Sequence, residues 1–431
     1  MNRPRGKALK AITAVLEEGA YSNLALRQAL RGASVTDAAF IKQLVYGTLT
    51  YCQSLDYLLE QWLTRPLASL KPPIRNLLRL GLYQIVYLQV PNHAAVDESV
   101  QLAHKVGHKG VAGLVNAVLR RAVRSRDALP WPQTGSASFD LSIRYSFPEW
   151  MVTRWLKRFS REETEAFCSA QNSAPGTDLR VNSLRETARN LLLEFAGEGI
   201  GVEPHPLVAN SLHVESASIP NVQAAASTLV GQVVDPRLGQ LVYDVCAAPG
   251  GKALHLAELM QDQGRVIALD VHEKRLGLVK VAAERLQIRT VETHCVDATQ
   301  LDTLIWEPAA RVLVDAPCSG LGVIRRKPDI RWHRSSDDIA ELAALQLRIL
   351  SQAANLVQPG GTLVYSVCST EPEETTEVIT AFLQQHQSFY PSLWPDQLRS
   401  QWEPELERCS LFTYPHRHAL DGFFICRLER S

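Results

Sequence analysis

A chain of 431 residues is too long for one ordinary hydrophobic core, so two or three domains are expected. With 46% hydrophobic and 21% charged residues the composition is that of a soluble globular protein, and no apolar run reaches the roughly 18 residues of a membrane helix. The net charge of zero hides an asymmetry: residues 1–150 carry 18 Lys or Arg against 10 Asp or Glu, a net of +8, and the remainder carries −8. A basic front half is either a phosphate-facing surface or a solvated helical face. The basic start from Met1 to Lys10 runs into Glu17 and Glu18 too soon for a signal-peptide core, so the reading is cytoplasmic.

Residues 6–126 read as helices. Apolar residues recur at three- and four-residue steps in Ala8, Ile12, Val15 and Leu16, and again in Leu77, Leu78, Leu82, Ile85 and Val86. Breakers fall at Gly32, Pro66, Pro72-Pro73 and Pro91-Asn92. The segment from Val111 to Arg124 ends in Arg120, Arg121 and Arg124, cations that also suit a helix C-terminus. Residues 127–148, with Pro130, Pro132, Gly135 and Pro148, read as a linker. Residues 149–235 mix short helices and strands: a strand at Leu179–Asn182, a helix from Leu184 to Gly197 and a strand at Leu212–Val214, together a small α+β unit.

From Gly239 onward strands and helices alternate. Strands are expected at 241–245, 266–271, 291–295, 312–316, 363–367 and 422–428, with helices at 253–261, 274–286, 338–357 and 373–386. That alternation means a largely parallel sheet covered on both faces, with its ligand at the carboxyl ends of the strands.

Chemistry gathers at those strand ends. Asp244-Val-Cys246-Ala247-Ala248-Pro249-Gly250-Gly251-Lys252 joins a strand to a helix, and its adjacent glycines let backbone approach a ligand closely. The spacing is not that of a phosphate P-loop. Asp270 ends the next strand, where a carboxylate either accepts two ribose hydroxyls or caps a helix. Asp297 follows the strand after that, at a position suited to an adenine amino group. Two further strand ends carry Asp315-Ala316-Pro317-Cys318-Ser319-Gly320 and Tyr365-Ser366-Val367-Cys368-Ser369. One such cysteine would be a packed thiol; two on neighbouring strands point to a reactive role. Cys52, Cys168, Cys246, Cys295, Cys409 and Cys426 complete a set without any C-x-x-C pair, so no metal site is expected and all eight read as free thiols.

Taken together, the D-x-C-A-A-P-G-G-K, D-A-P-C-S-G and Y-S-x-C-S segments resemble the NOL1/NOP2/Sun family of RNA cytosine-5 methyltransferases over most of residues 150–431. Arg325, Arg326, Lys327, Asp329, Arg331 and Trp332 follow the fourth segment as in that family, and Asp421-Gly422-Phe423-Phe424 resembles its closing motif. Residues 94–100 (AAVDESV) and 115–121 (VNAVLRR) look like the all-helical domain shared with the antitermination factor NusB, and this fusion resembles the family's bacterial Sun/Fmu branch, with residues 146–150 (SFPEW) at the domain junction. Two positions depart from the pattern. Ala253 stands where Thr is usual, and Val222-Gln223-Ala224 where Val-Gln-Asp is usual, which removes a carboxylate near the cofactor's methionine end.

The resemblance implies an all-α NusB-like RNA-binding domain (1–140), a small α+β domain (145–235) and a Rossmann-like class I methyltransferase domain with a mainly parallel sheet (236–431). It implies S-adenosyl-L-methionine as cofactor, held by Cys246, Ala247, Ala248, Pro249, Gly250, Gly251, Lys252, Asp270, Asp297 and Asp315. The implied reaction methylates carbon 5 of a cytosine in bacterial 16S ribosomal RNA, free or in a partly assembled subunit, with the protein acting as a monomer. Cys368 would be the nucleophile, Cys318 would assist product release and Asp315 would contact the base. The rival readings are a noncatalytic antitermination-type RNA-binding factor and a cytosine-5 methyltransferase acting on another RNA such as tRNA.

Overall fold

The amphipathic repeats of the first 124 residues form α-helices at Pro4–Glu18, Ser22–Leu30, Val35–Thr50, Cys52–Glu60, Pro72–Val86, Asn92–Val106 and Lys109–Arg124. The computed structural model describes residues 4–88, 90–214, 223–301 and 305–431. Helix ends follow local chemistry. Ser34 caps Val35–Thr50 by accepting from the Asp37 N–H at 3.2 Å. Pro72 opens Pro72–Val86, at a first-turn position where a missing N–H costs nothing. Ala8, Ile12, Leu44, Leu77, Leu78, Leu82 and Ile85 are wholly buried in one core, each leucine or isoleucine contributing about 1.5–3 kcal/mol of burial.

The expected linker at 127–148 contains a helix, Ala137–Tyr145. Its composition is polar, but Ser136 accepts from the Phe139 N–H and Asp140 accepts from the Thr134 N–H and hydroxyl, while Leu141 and Ile143 are buried. Helices Glu149–Leu156 and Arg161–Asn172 follow, around an edge-to-face cluster of Phe147, Trp155 and Phe167.

The chain divides into two compact units. One comprises Met1–Ser173 with Ile324–Arg334, the other Ala174–Val323 with Ser335–Ser431. The helical unit thus includes a segment contributed from far along the chain, and that segment is firmly held. Arg331 is fully buried; its Nη1 donates to Thr50 O (3.1 Å), Ser146 O (2.9 Å) and Asn172 Oδ1 (3.0 Å), and its guanidinium lies 4.1 Å from the Phe147 ring centroid. Trp332 Nε1 donates to Leu49 O at 2.8 Å, and Asp329 accepts from the Ser22 N–H and hydroxyl. Burial lowers Arg331 to about 9, which leaves it charged at neutral pH.

The second unit begins with an antiparallel sheet of β1 (Thr177–Arg180), β2 (Val202–Pro204) and β3 (Ser211–Val214), β3 in the middle, with helix Ala188–Gly197. Of these three strands, β2 lacked a sequence counterpart. Helix Ala225–Val234 precedes the larger sheet of β4 (Leu241–Asp244), β5 (Arg265–Asp270), β6 (Val291–Cys295), β7 (Ala309–Asp315), β8 (Val357–Val367), β9 (Phe389–Pro391), β10 (Ser410–Thr413) and β11 (Phe423–Arg430). Its order is β10-β11-β8-β7-β4-β5-β6, with β9 on β11; β4 to β8 pair in parallel and β9 to β11 run antiparallel. Alternate residues feed two cores on opposite faces: Val242, Val266 and Leu313 on one, Tyr243, Ile267 and Val312 on the other. The fold is therefore the expected α/β, Rossmann-like architecture with helical and small α+β parts before it. The strand order reverses direction between β4 and β7, where open α/β sheets leave a crevice for ligands. Among the described residues no helix is long and apolar enough to cross a membrane.

Replacing Arg331 with Ala strips three acceptors of their donor and removes the cation from Phe147. A loss of about 3 kcal/mol is expected for the helical unit, read as a lowered urea midpoint for the full chain. An unchanged midpoint would show that the inserted segment is not integral to that unit.

Candidate active site

At the end of β4 the chain turns at Gly250, whose φ of +106° only glycine adopts without strain, and enters helix Gly251–Leu259. The first N–H groups of a helix have no intrahelical partners, and the N-cap residue Gly250 offers these no side-chain cap. Two neighbours brace the turn: Asp270 Oδ2 accepts from the Ala248 N–H at 3.2 Å, and Arg275 Nη2 donates to Ala248 O at 2.7 Å. Asp270 Oδ1 also accepts from the His272 N–H at 2.9 Å, ahead of helix Glu273–Leu286. The carboxylate that sequence reasoning offered either to a ligand or to a helix end thus bonds both the glycine turn and that helix end. Asp297, past β6, is exposed, and the N–H and hydroxyl of Thr299 hold its pKa down.

Cys318 and Cys368 come together. β7 and β8 pair in parallel with Asp315 opposite Ser366, so both cysteine loops leave the sheet side by side. Their sulfurs are 3.2 Å apart. The hydrogen bond with Cys368 and then burial push the Cys318 thiol well above its ordinary value, while either sulfur can be the donor of the bond between them.

Lys252, on the first turn of helix Gly251–Leu259, spans the β4–β7 reversal and donates to Asp315 Oδ2 at 2.7 Å. Its ammonium lies 5.6 Å from the Phe423 ring centroid. Burial lowers the Lys252 pKa, but Asp315, Asp244 and the Cys368 sulfur outweigh it and the net shift is upward. Lys252 therefore stays charged, with the Cys368 sulfur within its electrostatic reach. Asp315 Oδ1 accepts from Ser366 Oγ at 2.8 Å, which fixes the carboxylate between the two strand ends.

Several residues of this machinery escaped sequence reasoning. Glu374, wholly buried, ties the cysteine loops together: Oε1 accepts from the Ser319 N–H (2.7 Å) and Gln346 Nε2 (3.0 Å), while Oε2 accepts from Ser319 Oγ and Ser369 Oγ (2.5 Å each). Gly322 N donates to Cys368 O at 3.0 Å, and Gly422 N donates to Gly322 O at 2.8 Å. A Cβ on Gly322 would fall 1.9 Å from Gly422 O, so only glycine permits this approach. The Gly in the closing Asp421-Gly422-Phe423-Phe424 segment thus serves the Cys318 loop. Beside the glycine turn, half-buried Arg180 pairs with Glu258, and its Nε donates to Gln223 Oε1 at 2.8 Å. Asp178 Oδ2 accepts from the Ala225 N–H at 3.2 Å, supplying an N-terminal carboxylate to the helix that follows Ala224. Val222 lies outside the described residues.

The donor set suits an adenosine-bearing ligand. Uncapped helix N–H groups at a glycine turn, a carboxylate at the end of β5 and an exposed carboxylate past β6 lie at the ligand-facing ends of adjacent parallel strands.

Asp244 lies beneath this array with no exposed surface; among the described residues no side chain donates to its carboxylate, and the nearby Cys246 backbone N–H and Lys252 cation only partly offset its burial. Burial, and after it the Asp315 charge, raise its pKa to about 7. A carboxyl group whose pKa rises on folding contributes stability that is full below its unfolded pKa near 3.8 and is lost as pH climbs to about 7. Replacing Asp244 with Asn should remove that part of the pH dependence. Thermal melts of the ligand-free protein should show the variant gaining on the parent between pH 4 and pH 7, by a few kcal/mol in total; parallel curves would mean that Asp244 titrates normally.

Residues 231–429 match the family described as 16S rRNA methyltransferase RsmB/F, residues 147–220 the ferredoxin-like domain of RsmF/B-like methyltransferases and residues 2–124 the NusB family. The chain is 39% identical to the probable ribosomal RNA small subunit methyltransferase B of Bacillus subtilis, over 99% of this chain and 98% of the relative. It is 36% identical to the protein of the same description from Synechocystis, over 95% and 96%. The crystal structure of PH0851 superposes with a TM-score of 0.81 at 27% identity, covering 99% of both chains. Matches of this identity over nearly the whole length show that the chain belongs to the RsmB/F family of 16S rRNA methyltransferases.

Proposed function

We propose that this protein transfers a methyl group from S-adenosylmethionine to carbon 5 of a cytosine in 16S ribosomal RNA, through a covalent adduct on Cys368. The observation that carries the reading is the pair of cysteine sulfurs 3.2 Å apart at adjacent parallel strand ends, beside the Lys252–Asp315 ion pair. In this reading residues 1–140 bind RNA, 145–235 form a small α+β domain and 236–431 carry the chemistry.

Carbon 5 of cytosine is a poor nucleophile, and covalent catalysis divides the difficulty. The Cys368 thiolate, favoured by Lys252, forms a bond to carbon 6, and the ring electron pair displaced by that bond makes carbon 5 nucleophilic. S-adenosylmethionine supplies the methyl group as a sulfonium, held by the glycine turn 246–252 with Asp270, Asp297 and Asp315. Asp315, fixed by Lys252 and Ser366, accepts from the cytosine amino group and orients the ring. A general base takes the carbon-5 proton, and the C–H electron pair re-forms the ring double bond and expels Cys368 as a thiolate. Cys318, kept protonated, donates to the departing sulfur. The base must be unpaired or flipped out to reach this site.

Incubating each cysteine variant with substrate RNA and S-adenosylmethionine, then running a denaturing gel, tests the assignment. Cys368→Ala should form no adduct and no product. Cys318→Ala should accumulate a protein–RNA adduct, because attack survives and release does not. An adduct from Cys368→Ala, with none from Cys318→Ala, would exchange the two roles. The cofactor assignment has its own check: Asp270→Ala should weaken S-adenosylmethionine by about 1.5–3 kcal/mol in calorimetry, and unchanged affinity would leave Asp270 only its turn-bracing bonds.

A further inference from the structure

The helical unit contains a cavity of about 460 Å³ that the proposed chemistry does not use, within the roughly 300–1,000 Å³ of ligand sites. Its lining includes Tyr51, Tyr87, Trp131, Arg144, Tyr145 and Asn172, all within Met1–Ser173. We propose that this cavity binds an unstacked nucleotide of the RNA strand, at a site separate from the cysteine centre. The inference rests on the reading of RNA as substrate and adds a second point of contact with it.

Aromatic faces carry the argument. Tyr51 and Tyr87 are stacked at 3.8 Å with 15° between their planes, and Tyr83 extends the stack at 5.9 Å from Tyr87. Tyr83 is buried in the core, so the stack is anchored from behind while Tyr51 and Tyr87 remain half-buried at the cavity. Trp131 and Tyr145 add two more half-buried rings. Tyr51 and Tyr87 cover one face of each other, so they form a rigid wall, and Trp131 and Tyr145 supply the rings on which a base, with its own π-face, can stack.

The polar groups are those a nucleotide needs. Arg144 is exposed and lies 5.8 Å from the Tyr145 ring centroid, where it can meet a phosphate. It also faces Glu165 at 3.3 Å, and Tyr145 Oη donates to the same carboxylate at 2.9 Å, so the cation is positioned before any ligand arrives. Asn172 is locked, its Nδ2 donating to Tyr145 O at 2.7 Å and its Oδ1 accepting from Arg331. The unit as a whole holds 27 Lys or Arg against 14 Asp or Glu, a net of +13, which draws a polyanion. A rigid aromatic wall with one placed cation in so basic a unit fits a base and its phosphate.

Binding of the full chain to a fluorescein-labelled, mixed-sequence single-stranded RNA of about 12 nucleotides tests the site by anisotropy. Trp131→Ala should weaken it about 5- to 100-fold, and Trp131→Phe should restore most of the loss. Arg144→Ala, at an exposed position, should flatten the slope of log affinity against log salt by about 0.7. S-adenosylmethionine affinity should be unchanged in all three. Parent-like affinity in Trp131→Ala, or equal loss in Trp131→Phe, overturns the stacking site; an unchanged salt slope removes Arg144 from it. Failure of the proposed function looks different: the parent would then bind this RNA yet leave no 5-methylcytosine in 16S ribosomal RNA on bisulfite sequencing.

Discussion

Asp315 and Ser366 face each other across the parallel β7–β8 pair, and the geometry of the centre follows from that register. Because side chains alternate along a strand, a slip of one residue would send one partner to the opposite face of the sheet. In register, Ser366 fixes Asp315, Asp315 fixes Lys252, and the cysteines three residues past Asp315 and two past Ser366 meet at 3.2 Å. Register alone does not hold two loops beyond a sheet edge. The buried Glu374 carboxylate does, by accepting from Ser319 and Ser369 on either side. Gly322, bonded to Cys368 O and pressed against Gly422, closes the bracing from the β11 side.

Electrostatics within this frame separates the two thiols. One buried cation, Lys252, serves Asp315, Asp244 and Cys368 together. Asp244, wholly buried and without a side-chain donor among the described residues, is pushed up to about 7 by burial and by the Asp315 charge. The bond to Cys368 and burial push the Cys318 thiol up, whereas Cys368 lies within electrostatic reach of the Lys252 cation. A pair of chemically identical side chains thereby sits in two different electrostatic surroundings.

The chain links its two units in an unusual order. Directly after the Cys318 loop it leaves the catalytic unit at Val323, contributes Ile324–Arg334 to the helical unit, and returns at Ser335. Arg331 is the pin of that excursion, with three acceptors and an aromatic face around a buried guanidinium. Asn172, one of those acceptors, also lines the aromatic cavity. The basic run Arg325-Arg326-Lys327 consequently adds to the charge of the helical unit and not to that of the acidic catalytic one.

Local chemistry was enough to mark the helices of the first 124 residues, the α/β alternation after Gly239, the glycine turn and both cysteines, because periodicity, breakers and strand-end motifs are all short-range features. The helix at Ala137–Tyr145 was hidden by a polar, proline-rich setting, since its stability comes from Ser136 and Asp140 as caps and from two buried apolar residues. β2, β9 and β10 are too short or too irregular to show a period, and only pairing with β3 and β11 makes them strands. Glu374 looked like any acid near a helix start, and Arg331 like one more cation in a basic run. Their roles depend on burial against residues 55 and up to 281 positions away. A sequence displays which groups are able to react, but the partners that hold a buried charge are chosen by the tertiary fold, because only there does the cost of removing that charge from water have to be met.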